Sequence, residues 1–321
     1  ADRGYFNNDN TSTTMGISFA GTPSWAYLFP DAQGNYPNNP YSAANFLQTR
    51  DLITNNEKVD RFIGGGTATI KLLTNDNHGL KLLIQGGLDA YTLVTTAVFP
   101  NTLQFQKDGN GLNGVSIQGT TQNRNTNISA FLVHDFFPSG SSINFRTQLG
   151  ITSLDFYQNT VLVTGSNMNG SQTNVDQSGT QAVDHNRLIQ EDKGFFVQEE
   201  VNFGDKIVAT VGLRGDKSSN NGDVNKFFYY PKANIALNLN EFGFWQSATF
   251  NQLKLRAAYG EAGNFAAFGS KYTSLTPVVI DGTPGNEINP AQGNDELGPE
   301  RQKEIELGFD LGIINRVSMD F

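Results

Sequence analysis

Three histidines, His78, His134 and His185, are the side chains here best suited to metal or proton chemistry. Metal sites draw their ligands from short, regular spacings of His, Cys and carboxylates. These three fall in a turn, a strand and a long loop with no such spacing, and the chain has no cysteine. Without thiols there is neither a disulfide framework nor a thiolate site. Neither a metal nor a cofactor is expected. The stretch Asp108-Gly109-Asn110-Gly111-Leu112-Asn113-Gly114 resembles a calcium loop, yet Gly119 stands where the closing Glu belongs. Glu199 and Glu200 are adjacent, so on a strand they point to opposite sides and cannot serve one substrate as acid and base. No glycine-rich phosphate loop is followed by a Lys, and there is no nucleophile elbow. The expectation is that the chain is not an enzyme.

The aromatic residues carry more. Trp25, Tyr27, Phe29, Tyr36 and Tyr41 lie among Pro23, Pro30, Pro37 and Pro40 in a polar segment. Flat rings with polar edges stack on sugars or peptide side chains and dominate binding hot spots. Those five form the candidate ligand-binding set. The same rings also suit a girdle at a membrane interface. Tyr229 and Tyr230 fit the girdle better.

The elements that would position such residues are strands. Of 321 residues, 37% are hydrophobic and 17% charged, with 34 glycines, a mix suited to strands and polar loops. No window is apolar enough for a helical membrane span. A membrane barrel stays open, since its strands are apolar only at alternate positions. The net charge of −9 argues against a nucleic-acid partner. The first residues lack a signal-peptide pattern. At the other end Val317, Met319 and Phe321 begin an alternation that stops in mid-strand. The chain is expected to be a fragment.

Residues 1–61 read as mostly loop, with one strand near Met15 to Ala20, and 62–321 as a strand meander. Pairs of alternating segments follow: Phe62 to Leu73 with Leu80 to Tyr91, Ile128 to Phe137 with Ile143 to Phe156, and Phe195 to Phe203 with Ile207 to Arg214. Phe227 to Leu239, Leu253 to Gly260 and Glu304 to Ile313 continue the series. Long polar tracts, Thr92 to Asn127, Tyr157 to Lys193 and Glu261 to Glu300, alternate with tight turns. Outer-membrane barrels have such long extracellular loops and short periplasmic turns. The fold class expected is all-β, about 10 strands forming part of an antiparallel up-and-down transmembrane β-barrel, all within a single domain. Ile305, Leu307 and Phe309 then face lipid or a protein core. Lys254, Arg256, Glu304, Glu306 and Asp310 fall on the opposite, polar face, toward the lumen of a barrel. Glu199 is awkward, because it shares a face with Phe195, Val197, Val201 and Phe203; it sits near an interface or a bulge shifts the register.

Two segments resemble a known family. Asn251-Gln252-Leu253-Lys254-Leu255-Arg256-Ala257-Ala258-Tyr259-Gly260-Glu261-Ala262-Gly263-Asn264 is similar to a strand and loop of SusC/RagA-type TonB-dependent transporters. Leu297-Gly298-Pro299-Glu300 through Leu311 resembles the strand downstream. Weaker matches are Val211 to Ser219, where Asp216-Lys217-Ser218-Ser219 departs from the family's Asp-Gly-Ser-Ser, and Asn39-Pro40 ahead of Arg61-Phe62-Ile63-Gly64. The resemblance implies a barrel of roughly 22 strands in the outer membrane of a Gram-negative cell. It implies active import of an oligosaccharide or peptide, energised by TonB through a plug region missing here, with a SusD-like surface lipoprotein as partner and outer-membrane lipid around the wall. It favours lipid on the Ile305, Leu307 and Phe309 face. The alternative is a non-transporting all-β binding or structural protein, a secreted adhesin or a passive barrel, whose strands bury the same face against a second sheet.

Overall fold

A computed structural model describes residues 2–4, 13–108, 114–168, 172–245, 247, 249–314 and 316–321. In chain order the elements are β1 (Asp2–Gly4), α1 (Met15–Ala20), α2 (Phe46–Leu52), β2 (Thr54–Thr74), β3 (His78–Phe99), α3 (Gln104–Asp108), β4 (Val115–Phe136) and β5 (Ile143–Ser166). There follow β6 (Thr180–Phe203), β7 (Ile207–Ser218), β8 (Phe228–Asn238), β9 (Phe250–Asn264), β10 (Leu275–Ile280), β11 (Thr283–Ile288), β12 (Glu300–Ile313) and β13 (Val317–Asp320). One sheet has the order β1-β2-β3-β4-β5-β6-β7-β8-β9-β12-β13, so successive strands are neighbours and the connection is a meander. The hairpin β10-β11 forms a sheet of its own within the connection from β9 to β12.

Strands β2 to β6 run 21 to 24 residues. A tilted strand needs only about 9 to 11 to cross a bilayer. Their outer stretches occupy much of the tracts that read as loop, Thr92 to Asn127 and Tyr157 to Lys193. Thr120-Thr121-Gln122-Asn123-Arg124-Asn125-Thr126-Asn127 pairs as strand while carrying no apolar alternation. Where both faces carry polar side chains the period-two signal vanishes, although the ladder does not. Two further expectations are corrected. Met15–Ala20 is a helix, started by the Thr14 side chain, which accepts the Ile17 N–H at 3.4 Å. The start of the first long strand is at Thr54, not Phe62.

The chain divides into two compact units. Unit 1 comprises residues 1–63, 89–124 and 157–188, and unit 2 comprises 64–88, 125–156 and 189–321. Within unit 2, β6 pairs with β7 from Asp192↔Ser218 to Phe203↔Ile207, β7 with β8 from Ile207↔Leu237 to Asp216↔Phe228, and β9 with β12 from Glu300↔Asn264 onward. The β6–β7 hairpin turns at Gly204 and Asp205, with φ of 61° and 62°. Paired positive φ values are those of a turn whose twist matches the flanking strands, which glycine and Asp tolerate. No register shift interrupts Glu199↔Val211, so Glu199 stays on the apolar face without a bulge.

That face has no cover among the described residues. Ile305 is 74% exposed and Leu307 75%, and Val197, Val211, Ile235 and Leu255 beside them are exposed as well. The few buried apolar side chains include Leu28, Ala44, Leu47 and Leu103, all in unit 1 and none in a strand.

Candidate functional site

In unit 1 the segment 13–53 and α3 form a platform held by amide side chains. Asn45 caps α2: its Oδ1 accepts the N–H groups of Leu47 at 3.0 Å and Gln48 at 3.3 Å. Its Nδ2 donates to the carbonyls of Leu28 and Pro37, both at 2.9 Å. The Asn39 N–H donates to Gln104 Oε1 at 2.7 Å, and Gln104 Nε2 returns bonds to the carbonyls of Asn39 and Ser42, both at 3.0 Å. Gln48 Oε1 accepts the Gln104 N–H at 2.8 Å, while its Nε2 donates to Thr102 O at 2.9 Å. Ser18 Oγ bonds the Ala44 carbonyl. Irregular backbone leaves amides and carbonyls without ladder partners, and here buried Asn and Gln supply them.

The platform displays the five aromatics. Trp25, Tyr27, Phe29 and Tyr41 are exposed, Trp25 and Tyr27 by 73% and 76%. Trp25 meets Tyr41 edge to face at 5.3 Å, and Tyr27 lies 5.6 Å from Phe29. Tyr36 is half-buried, its hydroxyl donating to Asp51 at 2.7 Å. Arg50, also bonded to Asp51, and that hydroxyl hold the Asp51 carboxyl below the usual carboxylate range. The structure therefore groups the five in two ring pairs and one polar anchor. Asn45, Gln48 and Gln104 carried no site expectation in the sequence, and Asn39 entered only as part of Asn39-Pro40. Asn45 ahead of Phe46 and Leu47 was a legible helix cap, whereas Gln104 lies 65 residues from its partner Asn39, with nothing local to mark it.

In unit 2 the register sets Lys254, Arg256, Glu304, Glu306 and Asp310 on the polar face: Lys254 pairs with Asp310, Glu306 with Ala258 and Glu304 with Gly260. Asp310 takes Arg256 at 2.9 Å and Lys254 at 3.8 Å. A second ion-pair row joins four strands, from Lys81 to Asp135 at 3.5 Å, Arg146 to Asp135 at 2.6 Å and Arg146 to Glu200 at 3.8 Å. Further along this face a cavity of about 440 Å³ is lined by Gln148, Phe196, Gln198, Arg214, Tyr230 and Lys232 among others. Tyr230, expected in a girdle, is instead 5% exposed and lines this cavity, while Tyr229 beside it is exposed.

His78 and His134, which read as unrelated, are brought together: Nδ1 of one lies 3.1 Å from Nε2 of the other, and the rings stack. Their separation of 56 positions hid the pairing. His185 bonds Asn159 at 2.8 Å. Among the described residues no three His, Cys or carboxylate side chains cluster. Of the calcium-like stretch, residues 109–113 lie outside the described residues, and Gly119 is within β4.

Known proteins share this architecture. The family model "TonB dependent receptor-like, beta-barrel" matches residues 1–321. TonB-dependent receptor P3 of Formosa agariphila is 31% identical over 125 residues, 37% of this chain and 12% of that protein. TonB-dependent receptor P26 of the same organism is 42% identical over 73 residues, 22% of this chain and 7% of that protein. The RagAB peptide importer in its open-open state superposes with a TM-score of 0.76 at 16% identity, over 95% of this chain and 34% of the other. The closed-closed state gives 0.74 at 16%, over 96% and 35%. The chain thus spans about a third of the solved chains it matches and a smaller part of the curated relatives.

Proposed function

Since the chain belongs to the TonB-dependent receptor-like β-barrel family, we propose that it forms part of the barrel domain of an outer-membrane receptor that imports an oligosaccharide or a peptide. It is integral to the Gram-negative outer membrane, with lipid against the face that carries Ile305 and Leu307. TonB drives import through the family's plug region, and a SusD-like surface lipoprotein assists capture. Lys254, Arg256, Glu304, Glu306 and Asp310 line the lumen, and Trp25, Tyr27, Phe29, Tyr36 and Tyr41 contact cargo or that lipoprotein. The family is one of receptors rather than enzymes.

The observation that carries this reading is the division of the sheet in unit 2 into an uncovered apolar face and an ion-paired polar one. Contiguous exposed apolar rows are rare on proteins surrounded by water. In a bilayer the same row is the favoured arrangement, and charges are tolerated only on the other face. A secreted sandwich would bury Ile305 and Leu307 under a second sheet, and among the described residues no such cover stands on them. The peptide alternative draws support from the RagAB neighbours, which are named as peptide importers.

The test is uptake by cells expressing the receptor, with and without TonB. Labelled peptide or oligosaccharide should bind to both and enter only the first. Equal uptake in the two strains would sink the energised mechanism.

A further inference from the structure

The uncovered apolar face of unit 2 changes character toward one end. Glu199, Val211, Ala233, Tyr259 and Ile305 are register partners in turn across β6, β7, β8, β9 and β12, so their side chains share that face. Val197 and then Phe195 follow Glu199 on the same side of β6, with Leu213 and Gly215 opposite them in β7. Val197 and Leu213 are exposed aliphatic side chains. At the next level the face turns aromatic. The rings of Phe195 and Tyr229 close over Gly215, where an added Cβ would stand 2.8 Å from the first and 3.2 Å from the second, and Phe227 meets Phe195 at 5.3 Å.

Beyond the rings stand two lysines. Lys193 and Lys217 are direct partners in the β6–β7 register, so their side chains leave the same face side by side. Like charges opposed in this way are destabilising, and little here offsets them. Lys193 reaches Glu191 at 3.7 Å, but both side chains are more than half exposed, and such a pair contributes little. Among the described residues Lys217 has no carboxylate partner; its ammonium lies over the Phe227 ring, 5.3 Å from the centroid. That contact ties the lysine to the aromatic row without neutralising it. Two adjacent ammoniums and one weakly held carboxylate leave the patch positive, in a chain whose net charge is −9.

The order along the strands, aliphatic then aromatic then cationic, is that of a bilayer from hydrocarbon through interface to headgroups. The lysines stand one same-face step beyond Phe195, about 7 Å along the strand. They lie at the end of the hairpin opposite its tight turn at Gly204 and Asp205. Outer-membrane barrels put short turns in the periplasm, so this end belongs to the outer leaflet. We propose that Lys193 and Lys217 bind the phosphate headgroup of an outer-leaflet lipid, whose chains lie against Phe195, Phe227 and Tyr229. A phosphate accepts charge-assisted bonds from both ammoniums and removes the repulsion between them. The proposal rests on the outer-membrane reading above and goes beyond it: the barrel wall carries a lipid site, on the face opposite the path of the solute.

The test is native mass spectrometry of the purified receptor in detergent, which requires no TonB. It compares retention of diphosphoryl lipid A with that of the same lipid stripped of its phosphates. Retention of the phosphorylated lipid should be about tenfold greater and should weaken as salt is raised. Lys193→Gln combined with Lys217→Gln should erase most of that preference. Lys193→Arg combined with Lys217→Arg keeps both charges and should keep the preference, so a loss confined to the Gln pair reports charge and not folding. Lys232→Gln, on the opposite face of the sheet, should leave it unchanged. Equal retention of the two lipids, or an undiminished preference in the Gln pair, overturns the proposal. So does displacement of the lipid by excess inorganic phosphate, which would make the patch a site for a free anion. None of these outcomes bears on TonB-dependent uptake, and uptake that ignored TonB would leave the lipid preference standing.

Discussion

The platform of unit 1 and the sheet of unit 2 are ordered by different physics. In the platform, side-chain amides replace the regular ladder: Asn39, Asn45, Gln48 and Gln104 are buried and join segments far apart in sequence. In the sheet the backbone ladder carries the order, and side chains sort largely by face, with apolar rows such as Ile305 and Leu307 on one side and the Lys254, Arg256 and Asp310 cluster on the other. A platform built on buried amides is specific but brittle, because removing one partner strands the others without water. A ladder tolerates side-chain change on its wet face and punishes it on the apolar one. The exposed rings of Trp25, Tyr27, Phe29 and Tyr41 are thus attached to the brittle part.

The largest expected effect tests the sheet. Leu307→Arg places a charge on the uncovered face and should destabilise the receptor refolded in lipid vesicles by about 2–4 kcal/mol if Leu307 sits near mid-bilayer. Glu306→Gln, its neighbour on the other face, should stay within about 0.5 kcal/mol. Urea titration followed by tryptophan fluorescence measures both, and equal shifts would remove the distinction between faces. Next comes the platform. Asn45→Ala deletes the α2 cap and strands the Leu28 and Pro37 carbonyls, a loss of about 2–3 kcal/mol. Hydrogen exchange should quicken at Leu47 and Gln48 while the amides of β7 to β9 keep their protection. Slowed or unchanged exchange there would show that the cap is not what holds the platform.

This contrast also explains what was legible in the sequence. The alternation of Glu304 to Ile313 and of Leu253 to Tyr259 is a local record of two different solvents, so faces and strand order could be read from it. The hairpin β10-β11 had a local mark as well: Asp281-Gly282, both at positive φ, after the apolar run Val278 to Ile280. It was nevertheless absorbed into the tract read as loop. Strand ends with polar side chains on both faces, such as 120–127, carry no such record, and the tracts appeared longer than they are. Gln104 with Asn39, and His78 with His134, meet only through the fold. For the same reason the cavity was invisible: Gln198, Arg214 and Lys232 come from three strands, and each alone reads as an ordinary polar-face residue.

Smaller effects sharpen the comparison within each unit. Gly194 lies beneath the Arg214–Asp216 pair, and an added Cβ would stand 2.1 Å from Asp216 Oδ1. Gly194→Ala must displace that pair and should cost about 1–3 kcal/mol. Gly260→Ala meets nothing within 4 Å and should stay within about 0.5 kcal/mol. Similar losses for both, in the same urea titration, would mean that strand glycines act through backbone freedom and not through space.

The smallest effect is the pH dependence of the Tyr36–Asp51 contact in the platform. The Arg50 side chain and the Tyr36 hydroxyl hold the Asp51 carboxyl below its ordinary value of 3.8, and the bond to Asp51 raises Tyr36 above 10.0. A lowered carboxylate contributes stability that is complete above 3.8 and is lost as pH falls through the folded value. A raised phenol works in the opposite sense, complete below 10.0 and lost as pH rises through its folded value. The contact should hold across the whole interval between and loosen at both ends. Because Arg50 and Asp51 are partly exposed, salt should shrink the effect. Tyr36 ring resonances followed by NMR across that range should move only at its edges. Asp51→Asn should abolish the acid-side change, and a mid-range transition that persists in that variant would assign the titration to another group.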